Sequence, residues 1–530
     1  MNIFYDQSRD LLIYPPSAGL PVHLLPDGRK IGDHFAVPRT LRNSQVLRHY
    51  NFPVMPVITD ENYEWPRPPG ITPYESQKVT ANFCVLNRRC FVLSDMGVGK
   101  TNSLLWGADW LMRQHAPGTF RVLVVCPLSI MQSVWANAVF KCFLGERKVE
   151  ILHGDPNKRI EALKRDADVY ICNFDGVGIG AHTRGRFELD GFSKALAERD
   201  DIKLVIVDEA SAYRDAQTKR HRLARLVIGR RPYLWLATGT PTPNAPTDAY
   251  GMAKLVNNAF SKSFRSFQEE SMVKVTQFKW VPRSDGYEKA RALLTPAIRF
   301  SIDQVWDAPE LTYQQREVVL TTEQKKLMGD LKRDLQVVVK QGQPISAANE
   351  AAARQKFMQI SLGAIYDRDH KWHVIDAEPR INELMSVLEE APGKVLIFVP
   401  LTSVLELLYR KLKQKFSCRT VNGDVPQKER ARIFQAFQEE DDPRVLIADP
   451  HCMAHGLDLW RAQTVVWYAP SEKTELFLQA NKRAHRPGQK HSVAVVQLVS
   501  NPLEKEIFKR LENNTSLQGV LLDLVSRGEL

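Results

Sequence analysis

Short, unbroken apolar runs that recur at helix-length intervals constrain this chain more than any other feature. Phe91-Val-Leu93, Val122-Leu-Val-Val-Cys126, Val169-Tyr-Ile-Cys172, Leu204-Val-Ile-Val207 and Tyr233-Leu-Trp-Leu236 each end in polar or Gly/Pro residues. A strand with one wet face alternates apolar and polar residues. A run that is apolar throughout is covered on both faces, as in a parallel sheet flanked by helices. A second set follows after a gap: Lys394-Val-Leu-Ile-Phe-Val399, Thr420-Val421, Val445-Leu-Ile-Ala448, Thr464-Val-Val-Trp-Tyr468 and Val493-Ala-Val-Val-Gln497. The expected fold is α/β, with two doubly wound parallel-sheet lobes. Site residues are expected at the carboxyl ends of the strands.

The remaining segments set the domain boundaries. Residues 1–70 are rich in Pro and hold short apolar pieces, Leu11–Tyr14 and Val54–Ile58, between turn residues. They read as a small β-rich arm that closes at Trp65-Pro-Arg-Pro-Pro-Gly70. The first lobe then spans 71–258. Residues 259–375 lose the strand rhythm, and Thr322–Gln341 and Ala347–Phe357 read as helices, so this stretch is expected to be a linker and helical insertion. The second lobe spans 376–512 and a C-terminal tail 513–530.

The formal net charge is +11. Such an excess suits a polyanionic partner, nucleic acid first. The seven cysteines form no Cys-x-x-Cys pair, which argues against a zinc site or a disulfide framework and for a reducing cytosol. No apolar stretch approaches the ~18 residues of a membrane helix. The N-terminus lacks the basic and apolar regions of a signal peptide. A cytoplasmic location is expected, with no membrane partner.

Ser94-Asp-Met-Gly-Val-Gly-Lys-Thr101 follows the first apolar run. In a phosphate loop of this kind Gly97 and Gly99 let backbone N–H groups turn toward phosphate oxygens, Lys100 reaches the β/γ-phosphates, and the Thr101 hydroxyl binds Mg²⁺, with Asp95 and Val98 also expected at the nucleotide. The usual pattern starts with Gly, whereas position 94 is Ser. Asp208-Glu209 ends the fourth run. Asp208 is placed to hold Mg²⁺ and Glu209 to orient an attacking water. Far downstream, Gln479-Ala-Asn-Lys-Arg483-Ala-His-Arg486-Pro-Gly-Gln489 offers two arginines spaced by one helical turn. A nucleotide held by the first segment and sensed by the second needs two domains that close on each other. Lys219, Arg220 and Arg222 read as a basic helix face. Trp106, Trp110 and Trp135 read as core.

In order along the chain stand Gln77; Asp95–Thr101; Cys126-Pro-Leu-Ser129 with Trp135; His153-Gly154; Asp208-Glu-Ala-Ser211; and Thr238-Gly-Thr-Pro241 with Asn244. Val395–Phe398, Asn422-Gly-Asp424 with Arg430, Gly456-Leu-Asp-Leu459 and Gln479–Gln489 follow. Over residues 72–510 this set resembles the superfamily 2 helicase-like ATPases of the Snf2 type. The resemblance implies two RecA-like lobes, ATP hydrolysis with Mg²⁺, and translocation along duplex or branched DNA. It implies that Gln77 reads adenine and that Arg483 and Arg486 reach the γ-phosphate, Arg486 as arginine finger. Gly456 and Asp458 would meet the nucleotide from the second lobe. Ser129, Asn173, Thr402 and Gly423 fall where family motifs touch the nucleic-acid backbone. Ser211 stands where members often have His, and Asp449–His455 replaces a Gly-rich opening. The economy of the chain is similar to phage or bacterial members. Other activities fit the same motifs: strand separation or annealing on forks or RNA, a nucleotide-gated binding protein, or the motor of a nuclease system. Protein partners in repair or replication fit them as well.

Overall fold

The computed structural model describes the chain except residues 1–2, 7, 16–18, 26, 69–70, 185, 258, 277–279, 341–346, 367–371, 454–458, 472, 514–516, 518–519, 528 and 530. The chain divides into two compact units, Met1–Val305 and Trp306–Leu530.

The first unit is built on seven parallel strands. Their order across the sheet is Ala297–Ile298, Arg89–Val92, Tyr233–Ala237, Ile202–Asp208, Arg121–Cys126, Val169–Asn173 and Val149–Leu152. Successive side chains of a strand point to opposite faces, and here both faces are cores. Leu204, Ile206, Val122 and Val124 pack against Cys84, Val85, Leu104 and Trp106. These partners lie on helices Glu75–Asn87 and Lys100–Arg113. Val205, Val207, Leu123 and Val125 face the other way, against Ala224, Tyr250, Met252 and Phe192. That is the physical reason the runs carry no polar residue.

Residues before this sheet form a four-stranded antiparallel layer in the order Phe4–Asp6, Leu11–Tyr14, His34–Pro38, Arg29–Ile31. Its small core joins Leu12, Tyr14, Leu25 and Val37 to Leu47. Leu47 lies on helix Leu41–His49, which Thr40 caps by accepting the Asn43 N–H at 3.2 Å. The arm is fastened to the first parallel-sheet layer. Gln45 Nε2 donates to Val85 O at 2.8 Å, and the Asn82 amide exchanges bonds with both backbone groups of Ile58 at 2.8 and 2.9 Å.

The second unit is built on six parallel strands, in the order Leu311–Glu317, Val493–Val499, Ala462–Trp467, Lys394–Phe398, Val445–Ala448, Cys418–Val421. It too has a core on each face. Val395, Ile397, Val445 and Ile447 enter one, while Leu396, Phe398, Leu446 and Ala448 enter the other. The 259–375 stretch contains the helices Thr322–Lys340 and Ala347–Leu362. It also supplies the Ala297–Ile298 edge of the first sheet and the Leu311–Glu317 edge of the second.

Candidate nucleotide site

Strand Arg89–Val92 hands the chain to residues 93–99, and helix Lys100–Arg113 starts where the loop ends. Gly97 (φ 88°) and Gly99 (φ 79°) turn the loop through the left-handed region, which suits glycine. A Cβ at Gly99 would also lie 1.8 Å from Gln77 Nε2 and displace that amide. Gln77 is buried. Its Oε1 accepts the Tyr74 N–H at 2.9 Å and its Nε2 donates to Gly99 O at 3.2 Å. The residue expected at adenine therefore also fixes the last turn of the loop. Lys100 Nζ donates to Ser94 O at 2.8 Å and Asp95 O at 2.9 Å, drawing the loop around its ammonium.

Sheet register sets the acidic half. Asp208 lies opposite Ala237, and Ala237 opposite Val92. The carboxylate and the loop thus leave the same sheet edge one strand apart. Burial pushes the Asp208 carboxyl above its ordinary pKa. The Lys100 charge, the Trp135 indole N–H at 2.9 Å and the Glu209 N–H at 3.1 Å oppose that shift. Glu209 turns the chain with φ 55°. A non-glycine residue there is uncommon and worth a functional question. Ser211 is buried in the single turn Ala210–Tyr213. Thr238 follows the next strand. Its N–H donates to Val92 O at 3.0 Å and its Oγ1 accepts the Thr240 N–H at 3.2 Å.

These residues fit ATP and Mg²⁺. The loop has the left-handed glycines and the cation, Thr101 is the second residue of the helix, and Asp208 would supply the oxygen ligand a hard cation takes. Val98 is buried and Asp95 half-buried. Trp135, expected as core, is core and more, since its indole N–H bonds Asp208. A buried indole N–H needs an acceptor, and the sequence shows that need without naming Asp208. Trp106 finds one in Pro66 O at 2.6 Å, and Trp110 is buried.

Ser129 is exposed just past Arg121–Cys126. Asn173 ends its strand, with Oδ1 accepting from Arg159 Nη2 at 3.2 Å. Both share the carboxyl edge with Lys100 and Asp208. Arg220, on helix Lys219–Val227, is engaged by Asp175 at 2.8 and 2.9 Å.

In the second unit, helix Thr474–Asn481 ends before either arginine, and the chain continues in turns. Arg483 and Arg486 are therefore not on a helix, contrary to the spacing argument. They also sit at the amino edge of their sheet rather than the carboxyl edge. Gln489 Nε2 binds Trp460 O at 2.7 Å and Ala462 O at 2.9 Å, where strand Ala462–Trp467 begins. His485 Nε2 donates to Pro309 O at 2.6 Å, just before strand Leu311–Glu317. Asn481 Oδ1 accepts the Trp467 indole N–H at 2.8 Å. These bonds hold the turns, with Arg483 buried and Arg486 half-buried. Thr402 and Gly423 are exposed at the opposite, carboxyl edge. Gly456 and Asp458 lie outside the described residues.

The family model described as the SNF2-related domain matches residues 63–359, more than half of the chain. The chain belongs to the SNF2-related family. A helicase conserved C-terminal domain matches residues 379–488 of this SNF2-related chain. The two domains together are those of an ATP-hydrolysing, helicase-like enzyme. Among similar proteins, CHROMATIN REMODELING 4 of Arabidopsis thaliana is 24% identical over 452 residues, which cover 78% of the chain and 19% of that protein. The putative protein p41 of Acyrthosiphon pisum secondary endosymbiont phage 1 is 23% identical over 491 residues, covering 86% of the chain and 99% of p41. The SNF2-related chain thus spans about a fifth of the plant relative's length and nearly all of the phage relative's. A solved structure, the Sulfolobus solfataricus SWI2/SNF2 ATPase core in complex with dsDNA, aligns with a TM-score of 0.40 and 19% identity, over 88% of this chain and 95% of that one. Among the described residues no helix is long and apolar enough to cross a membrane.

Proposed function

We propose that this chain is an ATP-dependent DNA translocase that moves on duplex or branched DNA. One observation carries the reading. The loop that carries Lys100 and the strand that ends in Asp208-Glu209 leave the same sheet edge. Lys100, Gly97 and Gly99 would hold the phosphates, Thr101 and Asp208 the Mg²⁺, and Gln77 the adenine. Glu209 would orient water. Arg483 and Arg486 would meet the γ-phosphate, and Gly456 and Asp458 the nucleotide. Bound there, ATP would supply the phosphoanhydride to be cleaved and Mg²⁺ would neutralise charge on its oxygens. The +11 net charge supports a polyanionic partner. Ser129, Asn173, Thr402 and Gly423 offer the hydroxyl, amide and backbone contacts that grip phosphates without reading sequence. The phage relative supports a bacterial or phage-infected cytoplasm as the setting.

The test is steady-state ATPase activity with no nucleic acid, single strands, duplex, fork and RNA in parallel, beside a displacement assay for motion on duplex. Duplex or fork should stimulate turnover. Lys100→Ala should abolish it, whereas Glu209→Gln should keep ATP binding and lose hydrolysis. Near-normal turnover in Glu209→Gln, or stimulation by RNA alone, would sink the reading.

A further inference from the structure

The phosphate loop and the arginine segment of the second unit are both hydrogen-bonded to one short stretch of chain. At its start Ile298 O accepts the Leu93 N–H at 2.8 Å, Phe300 O accepts the Asp95 N–H at 2.9 Å, and the Phe300 N–H donates to Ser94 Oγ at 3.0 Å. At its end Pro309 O accepts from His485 Nε2 at 2.6 Å, and the Trp306 and His485 rings lie 5.6 Å apart. The first set is internal to residues 1–305 and the second to residues 306–530. Residues 301–305 join the two covalently, and His485 is the neighbour of Arg486.

Ser94 occupies the position where the usual phosphate-loop pattern has Gly, and the hydroxyl that binds Phe300 is what a glycine lacks. The side chain is buried, at 1% exposure. Its carbonyl has a second role, because Ser94 O and Asp95 O are the acceptors for Lys100 Nζ. The two residues that hold Phe300 therefore also hold the lysine. A phosphate that drew Lys100 toward itself would take a cation from both carbonyls and alter the loop's grip on Phe300.

We infer that Ser94 is a positioning residue that passes the occupancy of the phosphate loop to residues 297–309, and through Pro309 and Trp306 to the segment bearing Arg483 and Arg486. The inference rests on reading residues 94–101 as the ATP loop. Its content is a coupling free energy between two sites, carried by a contiguous set of bonds.

The experiment uses the full chain with Ser94→Ala, Ser94→Gly and Ser94→Thr, and Lys100→Ala as reference. Ser94→Gly restores the common loop sequence, so it keeps the test informative if the alanine variant folds poorly. Three quantities are measured: kcat and KM for ATP with saturating duplex DNA, the factor by which a non-hydrolysable ATP analogue changes duplex affinity, and hydrogen exchange over residues 297–305. Removing the hydroxyl should lower kcat about tenfold with KM within about threefold, and should bring the coupling factor toward one. The analogue should change exchange at 297–305 in the wild type and in Ser94→Thr, and not in Ser94→Ala or Ser94→Gly. Wild-type coupling in both hydroxyl-free variants overturns the inference, as does a rise in KM with kcat unchanged. Retained ATP binding and hydrolysis in Lys100→Ala would instead refute the ATP reading, and this inference with it.

Discussion

Asp208 is held against its own preference. Burial disfavours its charged form, and the folded protein opposes this with the Lys100 charge and two hydrogen bonds that leave the carboxyl still above its ordinary pKa of 3.8. A folded-state pKa above the unfolded one means stability that is full below that ordinary value and is lost as pH rises through the raised one. At neutral pH the metal-free site therefore destabilises the fold. Asp208→Asn keeps the shape and, with its oxygen toward Trp135, that acceptor, while removing the charge and giving up the acceptor for the Glu209 N–H. It should raise the melting temperature of the metal-free protein at neutral pH. Thermal melts at about pH 7 and about pH 4.5 check this, because the gap to wild type should narrow at the acid end. No narrowing would place the cost elsewhere. The sequence showed the residue types here but not their second duties. Trp135 was legible as core, and its bond to Asp208 was not, because a buried indole's acceptor is set by tertiary packing. Ser94 was legible as a departure from pattern, and its acceptor role emerged from Phe300, more than two hundred residues away.

At the level of elements, the strand leading into the loop is fixed by Arg89. Its guanidinium donates to Val256 O, Arg231 O, Gly229 O and Leu255 O at 2.6–2.9 Å. These carbonyls lie at and just beyond the ends of helices Lys219–Val227 and Ala249–Val256, where a cation complements the helix dipole. Burial lowers the Arg89 pKa to about 10, so it stays charged at neutral pH. Arg89→Met keeps the apolar stem and strands four carbonyls. It should cost about 2–4 kcal/mol, read as a lower denaturant midpoint for the first unit with the second unit's transition unchanged. Of the parallel-sheet strands that were legible, all but the Cys418–Val421 edge lie inside their sheets, where both faces are covered. The three that were not are edges. Val149-Glu-Ile-Leu152 is only half-buried, Ala297–Ile298 has two residues, and Leu311-Thr-Tyr-Gln-Gln-Arg-Glu317 is largely polar. An edge strand is recruited by backbone pairing with its neighbour, and that leaves little trace in side-chain pattern.

For the whole molecule, these edges decide where the chain can be cut. Strand rhythm alone would isolate the nucleotide-binding lobe as 71–258. That fragment lacks the Ala297–Ile298 edge and the backbone groups that bind Leu93, Ser94 and Asp95. It also lacks Phe267, Ala290 and Leu294 from one core, and Tyr63 and Trp65 from the other. On the arm side it loses the Asn82–Ile58 pair and the bond from Tyr63 to the buried Asp109 at 2.8 Å. A fragment of residues 1–305 keeps all of these. It should fold cooperatively and bind nucleotide, while 71–258 should be poorly folded and bind at least about tenfold more weakly, roughly 1.4 kcal/mol. The 1–305 fragment should nevertheless fail to show DNA-stimulated turnover, because Arg483 and Arg486 lie outside it, and such arginines are worth ~10³ or more in rate. Circular dichroism melts and titration with a fluorescent ATP analogue measure the first two outcomes, and steady-state ATPase with duplex DNA measures the third. Equal folding and affinity in 71–258 would show that the edge strand and the arm are dispensable to the loop. Full stimulated turnover in 1–305 would mean that the second unit contributes no residue to hydrolysis.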